Sequence, residues 1–281
     1  MTLNATQSVE TPSGKNRSGE NFPVGSFLIR PDLRAHVHAF YNFARAADDI
    51  SDHPLLEPEE KVARLDRFAA ILFGDSGNDV PSAVAMRDSL KVTGVTSQHC
   101  LDLLAAFTRD ATQLRYRDWL DLMDYCRYSA SPVGRYVLAL HGIGEDTWPA
   151  NDALCSALQV INHIQDCADD YAQLDRVYIP QDMLAANGGH TEDLARNSAT
   201  PGLRKTLDAM LAHLKVMMKD ARDLPRQVPD VRLKCETSVI CALADRLIGM
   251  LGRRDPLRDN VKLGKISVAG AAIYGLARAW F

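Results

Sequence analysis

The chain lacks several things that would assign it to familiar classes. No stretch reaches the ~20 apolar residues that a membrane-spanning helix needs; the nearest, "ISVAGAAIYGLARAWF" at the C-terminus, is too short and carries Arg278. No dense basic stripe is present and the net charge is −4, so no electrostatic footprint for nucleic acid exists. The six cysteines (Cys100, Cys126, Cys155, Cys167, Cys235, Cys241) form no CxxC pair and sit in apolar runs, which reads as buried thiols in a reducing, cytoplasmic setting. No GxGxxG follows a strand; "GIGED" at 142–146 is helix-end punctuation, and no nicotinamide cofactor is expected. The first twenty residues are polar and without the apolar centre of a signal peptide.

Alternating apolar patterns are nearly absent too. "RVYIP" at 176–180 is the one short extended candidate. What is present is helical periodicity. Apolar residues recur at three- and four-residue steps near 32–52, 58–73, 96–115, 118–128, 132–142, 151–174, 202–223, 231–252 and 265–280. "GDSGNDVP", "GIGED" and "NGGH" fall where helices should stop. The 281 residues, 46% hydrophobic and 24% charged, suffice for a sizeable core. The pattern predicts one all-α domain over 19–281 behind a disordered tail over 1–18. The C-terminal segment reads as a packed helix, with an interfacial membrane contact as the second reading.

Two segments break the rule that charge lies opposite the apolar face. At about 100° per residue, Tyr41, Arg45, Asp48 and Asp52 fall within about 60° of one another, beside Val37, Phe40, Ala44 and Ala47. In "NHIQDCADDY", Asn162, Asp166, Asp169, Asp170 and Gln159 share an arc of about 100° that borders Leu154, Leu158 and Ile161. Like charges 4 Å apart repel by about 4 kcal/mol at an effective dielectric of 20. Rows of carboxylates beside a core make sense when cations fill the gap, and all-oxygen donors with phosphate select Mg²⁺. His163, beside the second row, reads as a packing or hydrogen-bonding residue rather than a ligand.

Three blocks in order, "FYNFARAADDISD" (40–52), "YCRYSASPVG" (125–134) and "QVINHIQDCADDYAQLDRVYIP" (159–180), resemble the squalene/phytoene synthase family. The resemblance covers nearly the whole chain after about residue 18. It implies an isoprenoid-synthase-like helical bundle around a central hydrophobic cavity. It further implies that Asp48, Asp52, Asn162, Asp166 and Asp170 hold two or three Mg²⁺ ions on a substrate diphosphate, with Asp49 and Asp169 in support. Tyr41, Arg45 and Gln159 would line that cleft. Tyr125, Ala130, Val133 and Gly134 would shape a prenyl channel, and Arg176 and Tyr178 would close its diphosphate end.

Two departures narrow the expectation. "GENFPVGS" puts Glu20 and Asn21 before Phe22, where the family offers hydroxyl and basic residues, and Gln165 stands where Arg is frequent. Both remove positive charge from the diphosphate and argue against binding two farnesyl diphosphates. Phe22 and Gln165 remain expected substrate contacts. The chain then resembles a branch acting in bacterial hopanoid pathways. That branch ionises presqualene diphosphate, supplied by a partner enzyme, and traps the cation with water as hydroxysqualene. The alternatives are a synthase making presqualene diphosphate, an NADPH-dependent squalene synthase, and a non-catalytic helical assembly partner. Peripheral contact with the inner membrane face would suit so insoluble a product.

Overall fold

The computed structural model describes residues 9–11 and 28–280, with some side chains of the last helix excepted. Among them every regular element is a helix, as the periodicity predicts. The chain forms two compact units, one comprising residues 1–113 and 136–142 and the other 114–135 and 143–281.

The first unit packs four helices: α1 (Arg34–Ser51), α2 (Pro58–Leu72), α3 (Pro81–Thr93) and α4 (Gln98–Thr112). Val37, Phe40, Phe43, Ala47 and Ile50 form the buried face of α1. Phe43 meets Phe68 edge-on, and Phe40 stacks on Tyr136 with ring centroids 4.1 Å apart. Polar contacts fix the rotation of α1: His36 Nδ1 lies 2.8 Å from Ser89 Oγ, and the Tyr136 hydroxyl donates to the His36 carbonyl. Pro at the first position starts both α2 and α3.

Helix α3 is absent from the periodicity reading. Its buried positions are Ala83, Met86, Ser89 and Leu90, so two small or polar residues interrupt the apolar stripe that would mark it. Residues 9–11, within the expected tail, lie against this unit. Val9 N donates to Asp79 O, Ser82 N to Glu10, and Arg64 to Thr11 Oγ1. The rest of 1–18, and "GENFPVGS" with Phe22, fall outside the described residues.

The second unit holds α5 (Trp119–Ser129), α7 (Trp148–Gln165), α8 (Cys167–Leu174), α9 (Gln181–Ala186), α10 (Pro201–Ala221), α11 (Leu224–Gln227), α12 (Val231–Leu251) and α13 (Lys265–Trp280). Helix α6 (Ser131–Leu140) contributes its residues through Arg135 to this unit. Helix α7 is enclosed by α5, α10 and α12, which buries Leu154, Ala157, Val160, Ile161 and Ile164. Gly134 explains how closely α6 approaches α7: a Cβ there would overlap the Asn151 side chain and sit 2.7 Å from Cys155 Sγ. The same contact carries Arg135, which forms a two-pronged ion pair with Asp152 and lies 4.1 Å over the Trp148 ring.

The segment 151–174 reads as one helix by periodicity. It is broken at Asp166, whose φ of −101° and ψ of 7° end α7 and start α8. Asp166 N still bonds Asn162 O and Asp170 N bonds Asp166 O, so the break turns the helix without releasing it. "RVYIP" is extended: Arg115 and Val177 make an isolated parallel bridge, continued by Gln181 N to Tyr116 O. The turn into it runs through Asp175 at φ 51°, a left-handed position that Asp tolerates better than most side chains.

Candidate active site

The first row forms because α1 carries its acids on the flank of its buried face. Tyr41, Arg45, Asp48 and Asp49 are half-buried, and Asp52, which caps the helix, is 7% exposed. Arg45 reaches forward one turn, 2.8 Å from Asp49 and 3.3 Å from Asp48, at the spacing that stabilises helical ion pairs. One cation of the row is therefore internal. Ser51 Oγ, 3.4 Å from Asp52, is itself bonded to the Asp48 carbonyl. Lys61 of α2 donates to the Ser51 carbonyl at 2.9 Å, which brings a second positive charge to the end of α1.

The second row runs across the α7–α8 break. Gln159 and Asn162 are half-buried on α7, Asp166 and Asp169 are exposed, and Asp170 is half-buried. Arg176, 5% exposed, donates its backbone N–H to the Asp170 carbonyl at 3.2 Å and so ties the start of the extended segment to the row.

Beside the second row lies an aromatic group. His163 stacks on Tyr178 with centroids 3.6 Å apart, Tyr125 is 5.9 Å from His163, and Tyr116 stacks on Tyr178 at 5.4 Å. All four residues are buried. Burial, with the Arg176 charge adding to it, pushes the His163 imidazole down to about 3, so this ring is neutral. Its Nε2 atom is buried with no hydrogen-bond partner among the described residues.

Ala130 joins α5 to α6 and is buried, whereas Val133 is 43% exposed. Gly134 is turned to α7 and its role there is packing. Gln165, a substrate contact by expectation, donates from its amide to the Val261 carbonyl. That bond straps the segment 256–262 along the second row, forming a cleft lined by Asp166, Asp169, Arg258, Asn260 and Lys262. Sequence reading missed Arg258 and Lys262. Nothing in their local spacing couples them to a row some ninety residues earlier.

Among the described residues, no set of three or more His, Cys, Asp or Glu side chains is gathered tightly enough to hold a metal alone. The donors available are carboxylate and amide oxygens, which fit a hard divalent ion. Mg²⁺ is usually held by one or two carboxylates plus substrate phosphates rather than by a complete protein cage, so the residues fit such an ion with its substrate.

Residues 15–267 match the squalene/phytoene synthase family model, and the chain belongs to that family. It is an enzyme of isoprenoid biosynthesis. The chain is 47% identical to the hydroxysqualene synthase of Rhodopseudomonas palustris, over 93% of this chain and 89% of that one. It is 43% identical to the hydroxysqualene synthase of Zymomonas mobilis, over 100% and 95%. Among solved structures it is similar to a squalene synthase from Alicyclobacillus acidocaldarius, with TM-score 0.73 and 31% identity over 83% of this chain and 88% of that one. A dehydrosqualene synthase structure shares the fold at TM-score 0.75 and 19% identity, over 92% of each chain. Divalent-metal dependence is general in the family.

Proposed function

We propose that the chain converts presqualene diphosphate and water into hydroxysqualene and diphosphate. The observation that carries this reading is the near-full-length identity to proteins named hydroxysqualene synthase. Asp48, Asp52, Asn162, Asp166 and Asp170, with Asp49 and Asp169 beside them, would hold Mg²⁺, whose charge offsets that of the diphosphate and makes it a better leaving group.

The remaining residues bind and shelter. Arg45 anchors the first row and offers N–H groups to a phosphate oxygen. By the family resemblance, Tyr41 and Gln159 would serve the diphosphate end, with Arg176 and Tyr178 closing it. Ala130, Val133 and Tyr125 would shape the apolar channel, while Gly134 lets α6 approach α7. The aromatic ring of Tyr125 would favour the carbocation left when the carbon–oxygen bond breaks, by ~0.5–2 kcal/mol. The cation rearranges from its cyclopropylcarbinyl form and ends by adding water, which requires no reductant.

A partner enzyme supplies presqualene diphosphate. Among the described residues no helix is long and apolar enough to cross a membrane. Peripheral contact at the cytoplasmic face is proposed for α13, where Val268, Ile273 and Tyr274 are exposed.

The test is a product assay by mass spectrometry on the purified protein. Presqualene diphosphate with Mg²⁺ and without NADPH is expected to give hydroxysqualene and one equivalent of diphosphate, and EDTA to suppress both. Turnover of farnesyl diphosphate alone to presqualene diphosphate, or squalene formed only with NADPH, would overturn the reading.

A further inference from the structure

The reaction just proposed needs a water molecule held beside a cation in an otherwise oily site, and none of the residues assigned so far holds one. His163 is buried to 6% exposure within the Tyr116, Tyr125 and Tyr178 group, and its Nε2 has no hydrogen-bond partner among the described residues. A buried nitrogen of this kind is costly in a native fold and calls for a partner that the described residues do not supply. A phenylalanine would fill the same stack on Tyr178 without that cost. Water matches Nε2 in either tautomer, because it both donates and accepts.

We infer that His163 Nε2 positions the water that captures the carbocation, an assignment that rests on the hydroxysqualene reading above. Water hydrogen-bonded to Nε2 keeps an oxygen lone pair turned away from the ring. Tyr125, tilted to the ring with centroids 5.9 Å apart, adds an aromatic surface that favours a cation nearby. The step balances as follows. The carbon–oxygen bond to diphosphate breaks and the electron pair leaves with diphosphate. Water oxygen forms the new carbon–oxygen bond, and its proton passes to the departed diphosphate, giving the alcohol and hydrogen diphosphate. His163 keeps no proton and serves as a positioning residue.

The experiment compares wild type, His163→Phe and His163→Gln with presqualene diphosphate and Mg²⁺, measuring diphosphate release and the hydroxysqualene share of all C30 products. In His163→Phe, diphosphate release should stay within about threefold while the hydroxysqualene share falls by about tenfold or more, C30 hydrocarbons formed by proton loss replacing it. His163→Gln, whose amide can hold water, should recover most of the alcohol. An unchanged share in His163→Phe overturns the inference. So does an equal fall in release and alcohol, which marks a packing role. Wild type that releases no diphosphate from this substrate, or releases it without alcohol, overturns the functional reading itself. Should His163→Phe fail to fold by circular dichroism, a crystal structure of the wild type decides: an ordered water within about 3.2 Å of Nε2 is expected, and a dry Nε2 overturns the assignment.

Discussion

Asp48 and Asp166 sit in unlike surroundings. Asp48 has Arg45 at 3.3 Å, while Asp166 is an exposed helix cap beside the Gln165 strap. If each holds Mg²⁺ on the substrate, Asp48→Ala and Asp166→Ala should each cut diphosphate release by about 100-fold or more with the helical signal unchanged. Turnover near the wild-type rate in either variant would refute the metal role of that row. Gly134→Ala tests packing instead. The added methyl meets Asn151 and Cys155, so the protein should lose about 1–3 kcal/mol in urea denaturation. At this scale the sequence was most informative for contacts within one helix, since Arg45, Asp48 and Asp49 are related by three- and four-residue spacing. The orphaned His163 nitrogen and the Gln165–Val261 strap were hidden, because each depends on chain segments far away in sequence.

Individual helices were legible wherever large apolar residues repeat, as in α1 and α7. The stripe of α3 failed because Ala83 and Ser89 occupy buried positions. The break at Asp166 was invisible because two backbone hydrogen bonds keep helical spacing through it. The last helix is the element with the clearest test. Helix α13 packs on α12 with Gly275 against the Val239 backbone, and Ile273 and Tyr274 stay exposed. Replacing both by Ser leaves Gly275 in place and should abolish co-flotation with liposomes while activity in detergent persists. Equal flotation of variant and wild type would remove α13 as a membrane contact.

The whole molecule should feel its buried acids at alkaline pH. Burial pushes the Cys100 thiol up to about 12 from 9.0, and the Tyr136 hydroxyl up to about 12 from 10.0. Both are neutral in the folded chain when the unfolded chain has begun to ionise. Stability is thus intact below pH 9 and falls as pH rises from 9 toward 12, by about 1.4 kcal/mol per pH unit for each ionising group. Burial pushes the Cys155 and Cys167 thiols up to about 12 as well. Urea titrations at pH 8 and pH 10.5 should show the loss, and Cys100→Ala should remove only its own share of the part that begins near pH 9. A flat profile would mean that these groups are not shielded from water.

Gly275 has one more implication. With no side chain at that point, α13 lies close against the α12 backbone, and turning it to bring any larger residue there would force the two helices apart. The outward compass bearing of Ile273 and Tyr274 is therefore set by the fold before any surface arrives. A reporter dye at position 273 and another at the slot side would then read unequal polarity even in dilute buffer, with no lipid present.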